Sequence, residues 1–228
     1  ELKVLAGGSM TASLKELGPR FEKATGHKLD ITFAATPELI KMATSAPFDL
    51  GVVPVDVMKN DAARVKFAGQ PANIARVGYG VAVKAGAPRP DVSTPEALKR
   101  TLLAAKVVLI TDPATGGISG VHFMDVLNKL GIAEEMKSRL VPQPGGVFHA
   151  WRVVKGEADL AVQAEHEIRC VKGATFLPYP VQFQRTIVFM GAIGSSAGSA
   201  AAAAKAYLAF MTGAETANTY SAHCLTRG

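Results

Sequence analysis

Four times along this chain an apolar run passes through a loop of Gly, Ser, Thr or Pro straight into a helical pattern, and no other feature restricts the fold as much. The first instance is KVLAGGSMTASL, from Lys3 to Leu14. Leu2, Val4 and Leu5 read as a buried strand, Gly7 and Gly8 permit a tight turn, and Ser9 stands where an N-cap leaves backbone amides open. The second is TFAATPEL: Thr36 reads as an N-cap, Pro37 as the first helical residue, and Glu38 suits the positive end of the dipole. TDPATGGISG and PGGVFHAW repeat the design around Ser119 and Val147. A helix start of this kind attracts anions.

Between these stretches strands and helices alternate. Helices are expected over residues 10–23, 37–44 and 55–67, with strands over 28–33, 49–53 and 77–83. A βαβαβαβ order implies an α/β fold with a mostly parallel sheet, helices on both faces and ligands at the carboxyl ends of the strands. The Gly/Pro-rich link KAGAPRP, from Lys84 to Pro90, marks a change of unit, and Ser93-Thr94-Pro95-Glu96 opens the next helix. The expected division is residues 1–80 for a first lobe, 81–175 for a second, and 176–228 for a return to the first. Two crossings make a hinge, expected at Arg76 to Gly80 and Phe176 to Tyr179, with the ligand in a cleft between the lobes.

Composition removes several alternatives. Hydrophobic residues are 48% of 228 and charged residues 19%, an ordinary globular balance, and the longest apolar stretches fall short of the ~20 residues that cross a bilayer. The net charge is +6, but Lys and Arg are scattered along helix faces with no basic run and no interleaved aromatics, so no nucleic-acid partner is expected. Cys170 and Cys224 lack metal-ligand spacing and read as separate thiols in packed positions, with a disulfide between them left open in an exported protein. No metal or cofactor is expected. There is no G-x-S-x-G elbow, H-E-x-x-H or Walker A motif; Glu165-His166-Glu167 reads as a solvated helix start, and Met10, Met42, Met58, Met124 and Met136 as core filler.

The four helix starts are the expected binding constellation, two from each lobe. A compact oxyanion needs neutral donors from several directions, which amides and hydroxyls at helix starts supply. Ser9, Thr36, Ser119 and Val147 carry this reading, with Met10 and Gly120 next in line at two of the starts. Arg76, between apolar neighbours at the lobe boundary, and His122, one turn into the third of these helices, suit a larger anion such as a carboxylate, as do His149 and Arg152.

The succession VLAGGSMTASL, TFAATPEL, FDLGVV, TDPATGGISG and GGVFHAWRVVKGEADLAV resembles the periplasmic molybdate-binding type of solute-binding protein, across essentially the whole chain. The resemblance implies a type II two-lobed periplasmic-binding-protein fold, hinge closure on an anion, no catalysis, and an ABC permease in the inner membrane as partner. It implies a monomer in the periplasm, free or lipid-tethered. In that family a serine and a hydroxyl residue after the first two strands hold the anion, matching Ser9 and Thr36; two amides at helix starts match Ser119 and Val147. The family's tyrosine has no counterpart, since Gln163-Ala164-Glu165 stands in its place and Gln163 becomes the candidate replacement donor. Molybdate, tungstate, sulfate, phosphate and a carboxylate all remain open as the ligand. Two other readings also remain, the effector-sensing domain of a regulator and an enzyme acting on an organic acid.

Overall fold

The structure, a computed structural model, describes residues 1–115, 117–145 and 147–228. Gly116 and Gly146, which belong to two of the expected loops, lie outside the described residues. Contacts divide the chain into two units, Glu1–Arg76 with Ile187–Gly228, and Val77–Thr186.

The first unit opens with β1 (Leu2–Gly7), α1 (Thr11–Thr25), β2 (Leu29–Ala34), α2 (Thr36–Ser45), β3 (Leu50–Pro54), α3 (Val55–Lys59), α4 (Asp61–Arg64) and β4 (Phe67–Val77). Gly26 ends α1 at φ +75°, a left-handed cap that glycine adopts without strain. The helix expected over 55–67 is two short helices, because Asn60 breaks it and caps α4 by accepting from the Ala63 amide at 3.0 Å. The long strand β4 was not expected: Gly69 and Pro71 obscure its pattern, and much of it is exposed.

The second unit contains β5 (Tyr79–Lys84), α5 (Pro95–Ala104), β6 (Val108–Thr111), α6 (Ile118–Leu130), α7 (Ala133–Met136), β7 (Leu140–Gln143), α8 (Ala150–Val154), β8 (Leu160–Ala164), α9 (Glu165–Arg169) and β9 (Ala174–Pro178). Thr94 caps α5 by accepting from the Ala97 amide. The chain then completes the first unit with β10 (Ile187–Gly194), α10 (Ala201–Thr212), α11 (Ala217–Ala222) and β11 (Thr226–Arg227). The return falls at Ile187 rather than at 176, because β9 pairs antiparallel with β5 and so stays in the second unit.

The first sheet has the order β11-β4-β10-β3-β1-β2 and the second β7-β6-β8-β5-β9. β1 pairs in parallel with β2 and β3, and β6 with β7 and β8. Antiparallel strands adjoin these parallel groups: β10 on β3, and β5 on β8. Each unit has its own core. Leu5, Leu39, Phe48, Val53 and Val57 pack together in the first, and Ala82, Leu109, Ala150, Val153, Ala161 and Ile168 in the second. Among the described residues no helix is long and apolar enough to cross a membrane. Cys170 is exposed in the second unit and Cys224 half-buried in the first, so neither occupies the packed position expected of it.

Candidate anion-binding site

In the first unit the parallel register aligns Gly7 with Ala34, so the chain leaves β1 and β2 side by side at their carboxyl ends. Gly7 is required there, because a Cβ would come 2.8 Å from Phe189 and 3.2 Å from Pro54. The exit from β1 is a 3-10 turn, Gly8–Met10, ahead of α1. Ser9 is therefore the middle residue of that turn and not a cap; Gly7 and Met10 occupy the cap positions, with no side-chain capping bond. The two glycines let the backbone tighten before the α-helix begins. Thr11 secures the turn by donating from Oγ1 to the Gly8 carbonyl at 2.7 Å. Met10 is fully buried, so only its backbone is available to a ligand.

Thr36 is shifted by one place from expectation: Ala35 is the cap, and Thr36 is the first residue of the ten-residue α2. Its Oγ1 is buried and has no hydrogen-bond partner. Buried hydroxyls are nearly always bonded, and an unbonded one costs about 1–3 kcal/mol.

In the second unit Thr111, the last residue of β6, organises the opening of α6. Ser119 donates from Oγ to Thr111 Oγ1 at 2.8 Å, with both residues buried. A Cβ at position 120 would lie 1.8 Å from the Thr111 carbonyl oxygen, and one at position 117 would lie 2.4 Å from Thr111 Cγ2. Only glycine fits either place. Gly117 is the cap and Ser119 the second helical residue, so the Ser119 hydroxyl is engaged within the protein and its backbone is what remains for a ligand.

The helix expected from Val147 begins only at Ala150 and has five residues, with His149 as its cap. Val147 lies in the preceding bend and is exposed. Gln163, fully buried at the end of β8, holds that bend from both sides: its Nε2 donates to the Val147 carbonyl at 2.8 Å and its Oε1 accepts from the His149 amide at 2.7 Å. It serves as a clamp rather than the outward donor expected in place of the family tyrosine. His149 is 1% exposed; its Nε2 donates to the Pro144 carbonyl at 3.1 Å, leaving Nδ1 buried and unpartnered. Burial pushes its pKa down. Arg152 is held by Glu157 at 2.9 Å and Gln143 at 3.0 Å.

His122 is half-buried on α6, with Nε2 donating to the Phe183 carbonyl at 2.8 Å. Its ring lies 5.4 Å from that of Tyr79 and 5.9 Å from that of Tyr179. Gln184 clamps the Tyr79 backbone at both ends, with bonds of 2.8 and 2.9 Å. Neither Gln184 nor Tyr179 stood out in the sequence beyond the Pro-flanked context of Pro178-Tyr179-Pro180.

Ser9, Met10 and Thr36 thus gather in the first unit, and Ser119, Gly120, His122, Val147 and Gln163 belong to the second. Within the first unit Arg76 lies apart from the Ser9 and Thr36 group. It is exposed on β4, opposite Thr226, and β10 and β3 separate β4 from β1, about 14 Å at the usual strand spacing. His166, expected in solvent, is buried on α9, and burial pushes its pKa down to about 4. Among the described residues no three His, Cys, Asp or Glu side chains are grouped to hold a metal ion.

The family model described as bacterial extracellular solute-binding protein matches residues 2–223. The chain belongs to that family. Among solved structures this solute-binding protein is similar to the periplasmic molybdate-binding protein of Azotobacter vinelandii, at 21% identity and TM-score 0.70, covering 99% of both chains. It is similar also to the tungstate-binding protein of Desulfovibrio alaskensis G20, at 14% identity and TM-score 0.72, covering 100% of this chain and 98% of the other. It therefore has the type II periplasmic-binding-protein fold. A curated relative from Pseudomonas sp., named aconitate isomerase, is 33% identical over 210 residues, which is 85% of this chain and 76% of that protein.

Proposed function

We propose that this solute-binding protein is a periplasmic, monomeric receptor for a small anion, which it holds with the Ser9 turn and Thr36 of its first unit and the α6 opening and Val147 bend of its second. The observation that carries this reading is the buried, unpartnered Thr36 hydroxyl at the first residue of α2, beside the turn that leaves β1. An anion accepting from that hydroxyl and from neighbouring amides removes the cost of leaving it unbonded. Closure follows if donors of both units reach one anion, since the ligand then favours the state that supplies all of them. The net charge of +6 speeds anion arrival, and an ABC permease receives the cargo.

The test is calorimetric titration with molybdate, tungstate, sulfate, phosphate, citrate and the two aconitate isomers. Thr36→Val should weaken binding of the active ligand about tenfold or more while leaving the melting temperature equal or higher, because it removes an unbonded buried hydroxyl. Ser9→Ala should weaken the same ligand. Unchanged affinity in both variants would refute the first-unit seat.

A second reading, conversion of a bound organic acid, is favoured by the 33% identity to the protein named aconitate isomerase. Proton NMR of either aconitate isomer incubated with the protein checks it. Appearance of the other isomer supports the reading, and an unchanged spectrum excludes it.

A further inference from the structure

Around His122 the second unit gathers side chains that a seat for a compact inorganic anion does not need. The Phe183 carbonyl only accepts, so the imidazole proton is pinned on Nε2 and Nδ1 is left with its lone pair. Burial and the nearby charge of Arg185 both favour the neutral ring, outweighing its bond to Phe183 and the carboxylate of Asp125; Lys129, on the same helix, acts in the same sense as Arg185. A neutral imidazole of this tautomer is a poor anion donor, and its unprotonated Nδ1 is available to accept a proton.

The support for the ring is firm. Phe183 holds Nε2 and Gln184 grips both backbone groups of Tyr79, while the Phe183 and Gln184 amides both donate to the Pro180 carbonyl. Arg185 is the next residue of this braced segment and is half-buried. Tyr179, whose ring packs against His122, is 4% exposed and its phenol has no hydrogen-bond partner. The group thus combines an imidazole lone pair, a guanidinium, and a phenol whose oxygen has no hydrogen-bond partner, three residues along the helix from the α6 opening.

We propose that His122 is a proton-transferring residue acting on a bound unsaturated polycarboxylate, with Arg185 holding one of its carboxylates. The inference rests on the second reading given above and assigns the residues for it. With aconitate as the acid, His122 Nδ1 takes a proton from the methylene carbon that bears a carboxylate. The C–H electron pair enters the adjacent C–C bond, giving an allylic anion whose charge spreads onto the terminal carboxylates. The proton then returns from Nδ1 to either end of the allyl unit, and the double bond re-forms in either geometry. Atoms and electrons balance, with no oxidant, reductant or second substrate. The guanidinium matches a carboxylate in two-point geometry and opposes the charge as it grows.

The experiment uses the whole protein with cis- and trans-aconitate in D2O, reading methylene deuteration and isomer ratio by NMR and affinity by calorimetry. His122→Gln is the informative variant, because its amide can keep the bond to the Phe183 carbonyl but offers no base. It should lower exchange and isomerisation at least 100-fold while changing aconitate affinity less than threefold. Arg185→Gln should weaken aconitate at least tenfold, and Arg185→Lys should recover part of that loss. Exchange that survives in His122→Gln overturns the assignment. Wild-type protein that binds aconitate without exchanging its protons overturns the proton transfer and leaves the receptor reading standing. Binding of molybdate or sulfate but of no carboxylate overturns the inference alone, and binding of none of these anions overturns it together with the receptor reading.

Discussion

At the scale of single residues, the helix starts of the candidate site depend on places where only one side chain fits. Gly120 is the sharpest of these, since an added Cβ would overlap the carbonyl oxygen of Thr111 at 1.8 Å and backbone cannot swing aside as a side-chain tip can. Gly120→Ala should therefore push α6 off β6 and destabilise the protein by about 3 kcal/mol or more, at the upper end of overpacking costs. Urea unfolding measures the loss; a change under about 1 kcal/mol would show that the helix start yields easily. The same scale shows what the sequence could disclose. Glycine and hydroxyl residues at the strand ends were legible because turn chemistry is local, and they led to Ser9, Thr36 and Ser119. The partners were not legible: Ser119 bonds to Thr111 and Gln163 to the 147–149 bend, and such pairings depend on which strands the sheet sets side by side. The distance of Arg76 from β1 was hidden for the same reason, because it follows from a strand order that no local pattern encodes.

At the scale of elements, α9 carries a buried histidine, His166, and a half-buried carboxyl, Glu167, whose effects on stability run in opposite directions. His166 has its pKa pushed from 6.5 to about 4 by burial, so between those values the unfolded chain binds more protons and stability rises with pH. Glu167 has its pKa pushed from 4.5 to about 7, also by burial and despite accepting from the Ala164 amide at 3.1 Å. Between 4.5 and 7 the folded chain binds more protons, and stability falls as pH rises. The two slopes cancel over their overlap. Glu167→Gln, whose amide oxygen still accepts from Ala164, should expose the histidine's rising limb and leave the protein more stable above pH 7 by up to about 3 kcal/mol. Melting temperatures of both proteins from pH 4 to 8 decide this; parallel curves would show that the carboxyl is not buried in solution. The sequence marked a helix start at α9 but gave no sign that His166 is buried, since Glu165-His166-Glu167 reads as solvated. Elements with strong local punctuation, such as α1 ended by Gly26 and α5 capped by Thr94, were found close to where they lie. β4 escaped because its Gly and Pro residues mimic a loop.

For the whole molecule the decisive fact is that one unit is continuous and the other is not. Val77–Thr186 holds a complete five-stranded sheet, whereas the first unit needs β10 and β11 from the end of the chain to complete a sheet begun by β1 to β4. The continuous unit has its own core, so without ligand the two units are free to melt at different temperatures. A ligand stabilises whatever it binds by RT ln(1 + [L]/Kd), about 2.7 kcal/mol at a hundredfold excess over Kd. On the proposed reading Thr36 of one unit and the α6 opening of the other hold the same anion, so the ligand should raise both transitions and merge them. Solution scattering should then show a smaller radius of gyration with ligand than without. A ligand held by one unit alone should raise only that unit's transition and leave the radius unchanged. Scanning calorimetry of wild type and Thr36→Val separates these cases. If the variant restores two separate transitions at saturating ligand, the hydroxyl of the first unit is part of what couples them; if merging persists unchanged, the coupling does not depend on the first-unit seat.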